Sequence, residues 1–318
     1  MLTSRLAPLG GFLLVSGLTA SAQDRFATSI LDYQQGSGGG IFDPSNLLGG
    51  PQGFGLGGGA LDVLTLGVSG QVTCGFDVTI VDGPGADFTV YENPFVVGGG
   101  PAIFAEYAFV EVSTDGVNFA RFPSTLPLEP SVWGANRGLS GNTPGIANVL
   151  TNTIDPFDPV ESGGDSFDLS ELALDPLVVG GQVDLQNIQQ VRLVDVGVNS
   201  AGGSDFDAIA VIQHAGNQAS DGPICDLTRD AAGFVRLRLA DPDGLVDLDL
   251  TQLRVSVNLV EVPVFRLRSF FVLESSTPFE SVLVSPQPIG AFNFEAQLAV
   301  SVRDLAGNFS GDQISLNP

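Results

Sequence analysis

Glycine and proline cut this sequence into runs too short for long helices: 41 Gly and 20 Pro stand among its 318 residues. The segments between them alternate apolar and polar. Leu61 to Leu66, Val72 to Val81, Asp87 to Tyr91, Tyr107 to Ser113, Phe119 to Phe122, Gln190 to Val196 and Asp207 to Gln213 carry the period of two that marks a half-buried strand. In "STDGVNF" the pair Asp115-Gly116 lies between two such runs, a tight-hairpin signal. Helix signals are short: Pro44 to Leu48, Asp168 to Leu172 and Leu185 to Ile188. The pattern predicts an all-β chain, with one antiparallel β-sandwich or jelly roll reaching to about residue 214. A composition with 43% hydrophobic residues and 22 Phe supplies a core for it.

Further segments set the organisation. "MLTSRLAPLGGFLLVSGLTASAQD" opens with Arg5, continues through an apolar run from Leu9 to Leu18, and reaches the small residues Ala20-Ser21-Ala22. That is the grammar of a secretory signal peptide over residues 1–22, so a secreted or cell-surface destination is expected. No later apolar stretch approaches the ~18 residues of a membrane span, and no membrane insertion is expected. The first domain is expected over 23–214, with a long irregular connection from Pro123 to Asp184; connections of that length are usually functional or disordered. "HAGNQASDGP" reads as a small polar linker centred on 215–222. Residues 223–318 alternate again, with a turn at Asp243-Gly244 and the closing segment "QLAVSVRDLAGNFSGDQISL". They predict a second, smaller β-sandwich of immunoglobulin-like or fibronectin type.

Charge narrows the partners. The net charge is −24, and all 12 basic residues are arginine. Residues 23–216 hold 23 acids against 4 arginines, and residues 217–318 hold 13 against 7. Such a surface repels phosphate backbones, so nucleic acid is excluded as a partner class. It attracts cations, although solubility alone also accounts for it. Cys74 and Cys225 allow a disulfide between the two domains, but Cys74 shares a strand face with Val72 and Phe76, which suits a buried free thiol equally well.

Acids gather where strands begin and end: Asp82, Asp87, Glu92, Glu106, Asp205 and Asp207, with Asp155, Asp158, Glu161, Asp165, Asp168 and Glu171 in the long connection. Crowded carboxylates repel, and a hard cation offsets that cost; Ca²⁺ takes ~6–8 oxygens from carboxylates, amides and carbonyls. No Asp-x-Asp-x-Asp-Gly loop is present, so a site has to be assembled from distant segments. Glu92, Asn93, Glu106, Asp205 and Asp207 are the expected ligands of a structural Ca²⁺. The plainer reading, that these Asp and Asn side chains cap turns, stays open beside it.

Catalysis has less support. The single histidine, His214, ends a strand beside the linker, and no Gly-x-Ser-x-Gly elbow surrounds a serine. Zinc lacks its His and Cys ligands. Glu92 with Glu106 is a carboxylate pair of the kind glycosidases use, but acids are abundant enough to make pairs cheap. No catalytic residue is expected. Sugar recognition wants polar groups beside aromatic platforms. Trp133, followed by Asn136 and Arg137, is the candidate ligand-binding group, unless the lone Trp merely covers core from a loop.

The ordered segments "FATSILDYQQGSGG", "FDPSNLLGGPQGFG", "VDGPGADFTVYENPF", "FAEYAFVEVSTDGVNFARFP", "NRGLSGNTPG", "DPFDPVESGGDSFDLSEL" and "VRLVDVG…SDFDAIAVI" resemble a family of secreted bacterial cell-surface proteins of unknown function. The resemblance spans most of residues 26–213. It implies a jelly-roll fold similar to discoidin-like and carbohydrate-binding modules, without a demonstrated enzymatic role. It also implies that Glu92, Asn93, Glu106, Asp205 and Asp207 occupy the family's acidic motif positions. Members commonly carry a C-terminal sorting signal, which is not visible here. The expected function is a secreted or cell-surface, non-enzymatic binding or adhesion module, stabilised by calcium. A glycan or cell-envelope component is the expected partner; the alternatives are a glycan-binding accessory module and a purely structural envelope protein.

Overall fold

The computed structural model describes residues 25–99, 102–124, 138–199, 202–215, 222–242, 244–258, 260–264, 267–288, 297–304 and 309–315. The expected signal peptide and the Trp133–Asn136–Arg137 group lie outside them. The chain is all-β. Its first part carries strands β1 (Ala27–Gln34), β2 (Leu64–Thr65), β3 (Gln71–Ile80), β4 (Phe88–Glu92), β5 (Phe95–Val96), β6 (Ile103–Phe104), β7 (Ala108–Ser113), β8 (Ala120–Arg121), β9 (Leu139–Ser140), β10 (Asp165–Phe167), β11 (Ile188–Asp195) and β12 (Asp205–Val211). One antiparallel sheet runs β1-β3-β11-β7-β8, with β9 also on β7, and a second runs β10-β4-β12-β2. The two pack face to face. Phe88, Val90, Phe206, Ile209 and Val211 meet Val72, Cys74, Val110, Val112, Val191 and Leu193 in one core. Burying such side chains contributes roughly 1.5–3 kcal/mol each before chain entropy is charged against it. Phe88 stacks on Phe167 with centroids 5.4 Å apart and takes the edge of Phe122 at 5.9 Å.

β4 is buried along its whole length, on both faces. Its outer face is covered by the long connection. Tyr91 and Ala208 of the sheet cluster with Ala147 of that segment, and Phe26 and Phe157 pack against them. Asp165 anchors the covering chain: its Oδ2 accepts from Gly141 N and Asn142 N, each at 2.8 Å, and its Oδ1 accepts from the Thr143 hydroxyl at 2.8 Å. Over residues 138–184 the connection is therefore a built layer of turns. Of the expected helix signals, Asp43 caps a 3₁₀ turn over Pro44–Leu47 and Asp168 caps another over Leu169–Leu172. Leu185 to Ile188 is not helical. Asp184 closes a single turn by accepting from Gln186 N at 3.0 Å, and Ile188 already opens β11.

The second part holds β13 (Ile224–Arg229), β14 (Val235–Ala240), β15 (Leu248–Val257), β16 (Val260–Glu261), β17 (Val272–Ser276), β18 (Glu280–Val284), β19 (Gln297–Asp304) and β20 (Phe309–Ser315). They form two antiparallel sheets, β13-β14-β18-β17 and β16-β15-β19-β20, around a separate core with Val235, Leu237, Val255, Val300 and Val302. Cys74 belongs to the first core and Cys225 to the second, both as buried free thiols. Among the described residues no helix is long and apolar enough to cross a membrane.

The sandwiches touch along β15, β19, β20 and β13. Ala86 N donates to Gly311 O at 3.1 Å. On one side of that contact Arg254 pairs with Glu161 at 2.9 Å and Arg303 with Asp155 at 3.3 Å. On the other side acids face acids.

Candidate metal centre

Strands β2, β12 and β4 lie side by side at the end of the second sheet of the first sandwich. Register places Asp205 opposite Thr65 and Phe206 opposite Glu92. Glu92 follows Val90 on the core-facing side of β4 and is 3% exposed. Its Oε1 accepts from Asp205 N at 3.1 Å. Its Oε2 is buried and accepts no hydrogen bond, and the same holds for Oδ1 of Asp205. The Thr65 hydroxyl eases the charge on Asp205, but makes no well-formed hydrogen bond. A buried acceptor without a donor costs about 1–3 kcal/mol, and more when it is charged. Burial pushes Glu92 well above the usual carboxylate range, and Asp205 and Glu106 push it further by repulsion. Burial also raises Asp205. Glu106 is 2% exposed.

The other two expected ligands hold backbone. A register shift between Phe206 and Ala208 inserts Asp207 as an extra residue in β12. Its two oxygens accept from Gln52 N at 3.0 and 2.9 Å. Burial, with repulsion from Asp62, brings Asp207 up to about 7. Asn93 accepts from Ala60 N at 2.6 Å and donates to Ala60 O at 3.0 Å. Asp207 and Asn93 thus pin the Gly-rich loop from Gln52 to Asp62 near its two ends. Gly59 sits so close that a Cβ there would lie 2.7 Å from Nδ2 of Asn93 and 3.4 Å from the Phe95 ring. The pinned loop holds Phe54, Leu56 and Leu61 exposed, beside the stacked Phe95 and Phe104 of the β5–β6 hairpin.

Glu92, Asp205 and Glu106 therefore share one buried end, with Thr65 as a neutral oxygen that the sequence did not single out. Nothing local in "DVLTLG" marks Thr65; only the β2–β12 pairing does. Among the described residues, three trios bring carboxylate oxygens within 4.8 Å of one another: Asp82–Asp87–Asp168, Asp168–Asp226–Asp312 and Asp241–Asp247–Asp304. Glu92, Glu106, Asp205 and Asp207 do not form such a trio. Much of the remaining acidity is turn chemistry, as Asp155 accepts from Phe157 N at 3.0 Å and Asp158 from Val160 N at 2.9 Å. His214 has Nδ1 3.2 Å from the carbonyl of its neighbour Ala215. No protein-family model matches the chain, and no curated protein does.

Proposed function

We propose that this chain is a secreted or cell-surface, non-enzymatic binding or adhesion module, with calcium stabilising the end of its first sandwich. The observation that carries the reading is the loop from Gln52 to Asp62. It is held by Asn93 and Asp207, yet it turns Phe54, Leu56 and Leu61 to solvent at 71%, 46% and 75% exposure. Apolar side chains on a fixed, glycine-rich backbone offer faces for the C–H surface of a sugar ring and peptide groups for its hydroxyl rim. A cell-envelope polysaccharide is the partner this suits. The strongly negative surface disfavours anionic lipid and nucleic acid. Glu92 and Glu106 are sealed from solvent, which speaks against their use as a glycosidase pair. The resemblance to secreted cell-surface proteins supports the same compartment.

Sedimentation of the mature protein with insoluble envelope polysaccharide tests the reading. Retention is expected, and Phe54→Ser with Leu61→Ser should reduce it at least tenfold with an unchanged melting temperature. Equal retention of wild type and variant, or none by either, would overturn it and leave a structural role in the envelope.

A further inference from the structure

We infer that Glu92 Oε2, Asp205 Oδ1 and the Thr65 hydroxyl are ligands of one hard divalent cation of the calcium type, with Glu106 adding charge to the site. This deepens the calcium part of the proposed function; it does not depend on what the exposed loop binds.

The acids alone would not justify a site, because carboxylates commonly crowd at strand ends. The unsatisfied oxygens are a second and independent observation. Glu92 is sealed in the protein, spends one oxygen on Asp205 N, and leaves the other without a donor. That atom belongs to a side chain that feels the charges of Asp205 and Glu106, both acidic. The free oxygen of Asp205 and the poorly paired hydroxyl of Thr65 lie on the two neighbouring strands, β12 and β2. Two other buried carboxylates of the first sandwich show what satisfaction looks like. Asp165 takes Gly141 N, Asn142 N and the Thr143 hydroxyl, and Asp87 takes Gly83 N and Leu169 N. At Glu92 the paired strands β4 and β12 each leave a buried carboxylate oxygen without a donor.

The donor set selects the ion. Two carboxylate oxygens and a hydroxyl are all hard ligands, and none is nitrogen or sulfur. No third carboxylate among the described residues joins Glu92 and Asp205 within 4.8 Å, so the rest of the shell falls to neutral oxygens, which the adaptable coordination of Ca²⁺ accepts more readily than the strict octahedron of Mg²⁺. Such an ion would tie β2, β12 and β4 together where the loop held by Asn93 and Asp207 leaves the sheet.

A proton on Glu92 is the rival explanation, and the experiment separates the two. The melting temperature of the mature protein is measured at pH 7.5 in EDTA, in millimolar CaCl₂ and in millimolar MgCl₂, with elemental analysis of the purified sample. The expected result is a calcium-specific rise of about 5 °C or more, or calcium that copurifies at one equivalent. Glu92→Gln keeps the shape and removes the charge, so it should melt in EDTA at or above the wild type and lose both the calcium shift and the copurified ion. Asp205→Asn should weaken the response, and Asp115→Asn, on a distant exposed turn, should leave it intact. A wild type that neither shifts nor carries calcium overturns the inference in favour of the proton. So does a Glu92→Gln protein that responds as the wild type does. Either result leaves polysaccharide retention as a separate question.

Discussion

Asp168 of the first sandwich and Asp312 of the second bring carboxylate oxygens within 4.8 Å of each other, and Asp226 completes the trio. Asp312 is 3% exposed and accepts from Leu227 N and Gln313 N, both at 2.7 Å. Behind Asp168 stand Asp87 and Asp82. The cation that lines this part of the junction, Arg238, is engaged by Glu280 at 2.6 Å. Burial, with repulsion from Asp226 and Asp82, brings Asp168 up to about 7; burial and Asp168 itself hold Asp312 well above the usual range.

The junction is therefore expected to weaken as pH rises. A carboxylate whose folded pKa lies above its unfolded one binds a proton more tightly when folded. The resulting stabilisation is complete below the unfolded value, near 4, and is lost as pH climbs toward about 7. Melting temperatures from pH 5 to pH 8 should fall, and Asp168→Asn, which removes the charge, should flatten that slope. A slope identical in the variant would show that this cluster titrates without affecting the junction.

Asp165 supports a different prediction, because its carboxylate replaces strand pairing for the chain from Gly141 to Thr143. Burial brings it up to about 7 despite the donors aimed at it. Asp165→Ala strands those donors and should cost about 3 kcal/mol or more in urea unfolding. Asp165→Asn can still accept from both backbone amides while donating to Thr143, so about 1 kcal/mol is expected. Equal losses would mean that the charge itself matters.

Strand positions were legible because one face of each strand enters the core, as in β11, where Ile188, Val191 and Leu193 are buried among half-exposed neighbours. The double burial of β4 was not legible. Thr89 and Tyr91 are covered by a segment whose composition reads as loop and whose order comes from turn side chains such as Asn148, which accepts from Leu150 N and Thr151 N at 3.0 Å. At the candidate site the acids could be found by their crowding. The roles of Asn93 and Asp207 could not, because those roles depend on a bulge and on a loop more than thirty residues away. Thr65 and the opposition of Asp168 to Asp312 are set by pairing and docking, which a one-dimensional pattern does not carry.

Glu111 shows how the first sheet uses two of its few arginines. Register places it opposite both Arg121 and Arg192, and it pairs with them at 2.6 and 2.5 Å. The guanidiniums lie over the rings of Phe109 and Phe119 at 4.2 and 3.7 Å. The Glu111 side chain is 5% exposed, against 46% for Arg121 and 25% for Arg192. Glu111→Ala leaves two cations without their partner and should cost about 2–3 kcal/mol. Arg121→Ala should cost less than about 1 kcal/mol, because water already screens it. Urea denaturation of the three alanine variants should rank Glu111 first, Arg192 second and Arg121 last.

Gly85 fixes how closely the sandwiches approach. Its φ is +74°, and a Cβ there would lie 2.6 Å from Cys225 O and 2.7 Å from Gly311 O. Both atoms are backbone of β13 and β20, so neither can swing aside as a side chain would. The left-handed conformation alone costs an alanine about 1 kcal/mol. Gly85→Ala should therefore break the Ala86–Gly311 hydrogen bond and part the sandwiches while each core stays packed. The expected signs are a larger radius of gyration by small-angle scattering and faster proteolysis between residues 215 and 222, with near-ultraviolet dichroism from the two cores retained. A variant as compact and as resistant as the wild type would show that the strands can yield at this point.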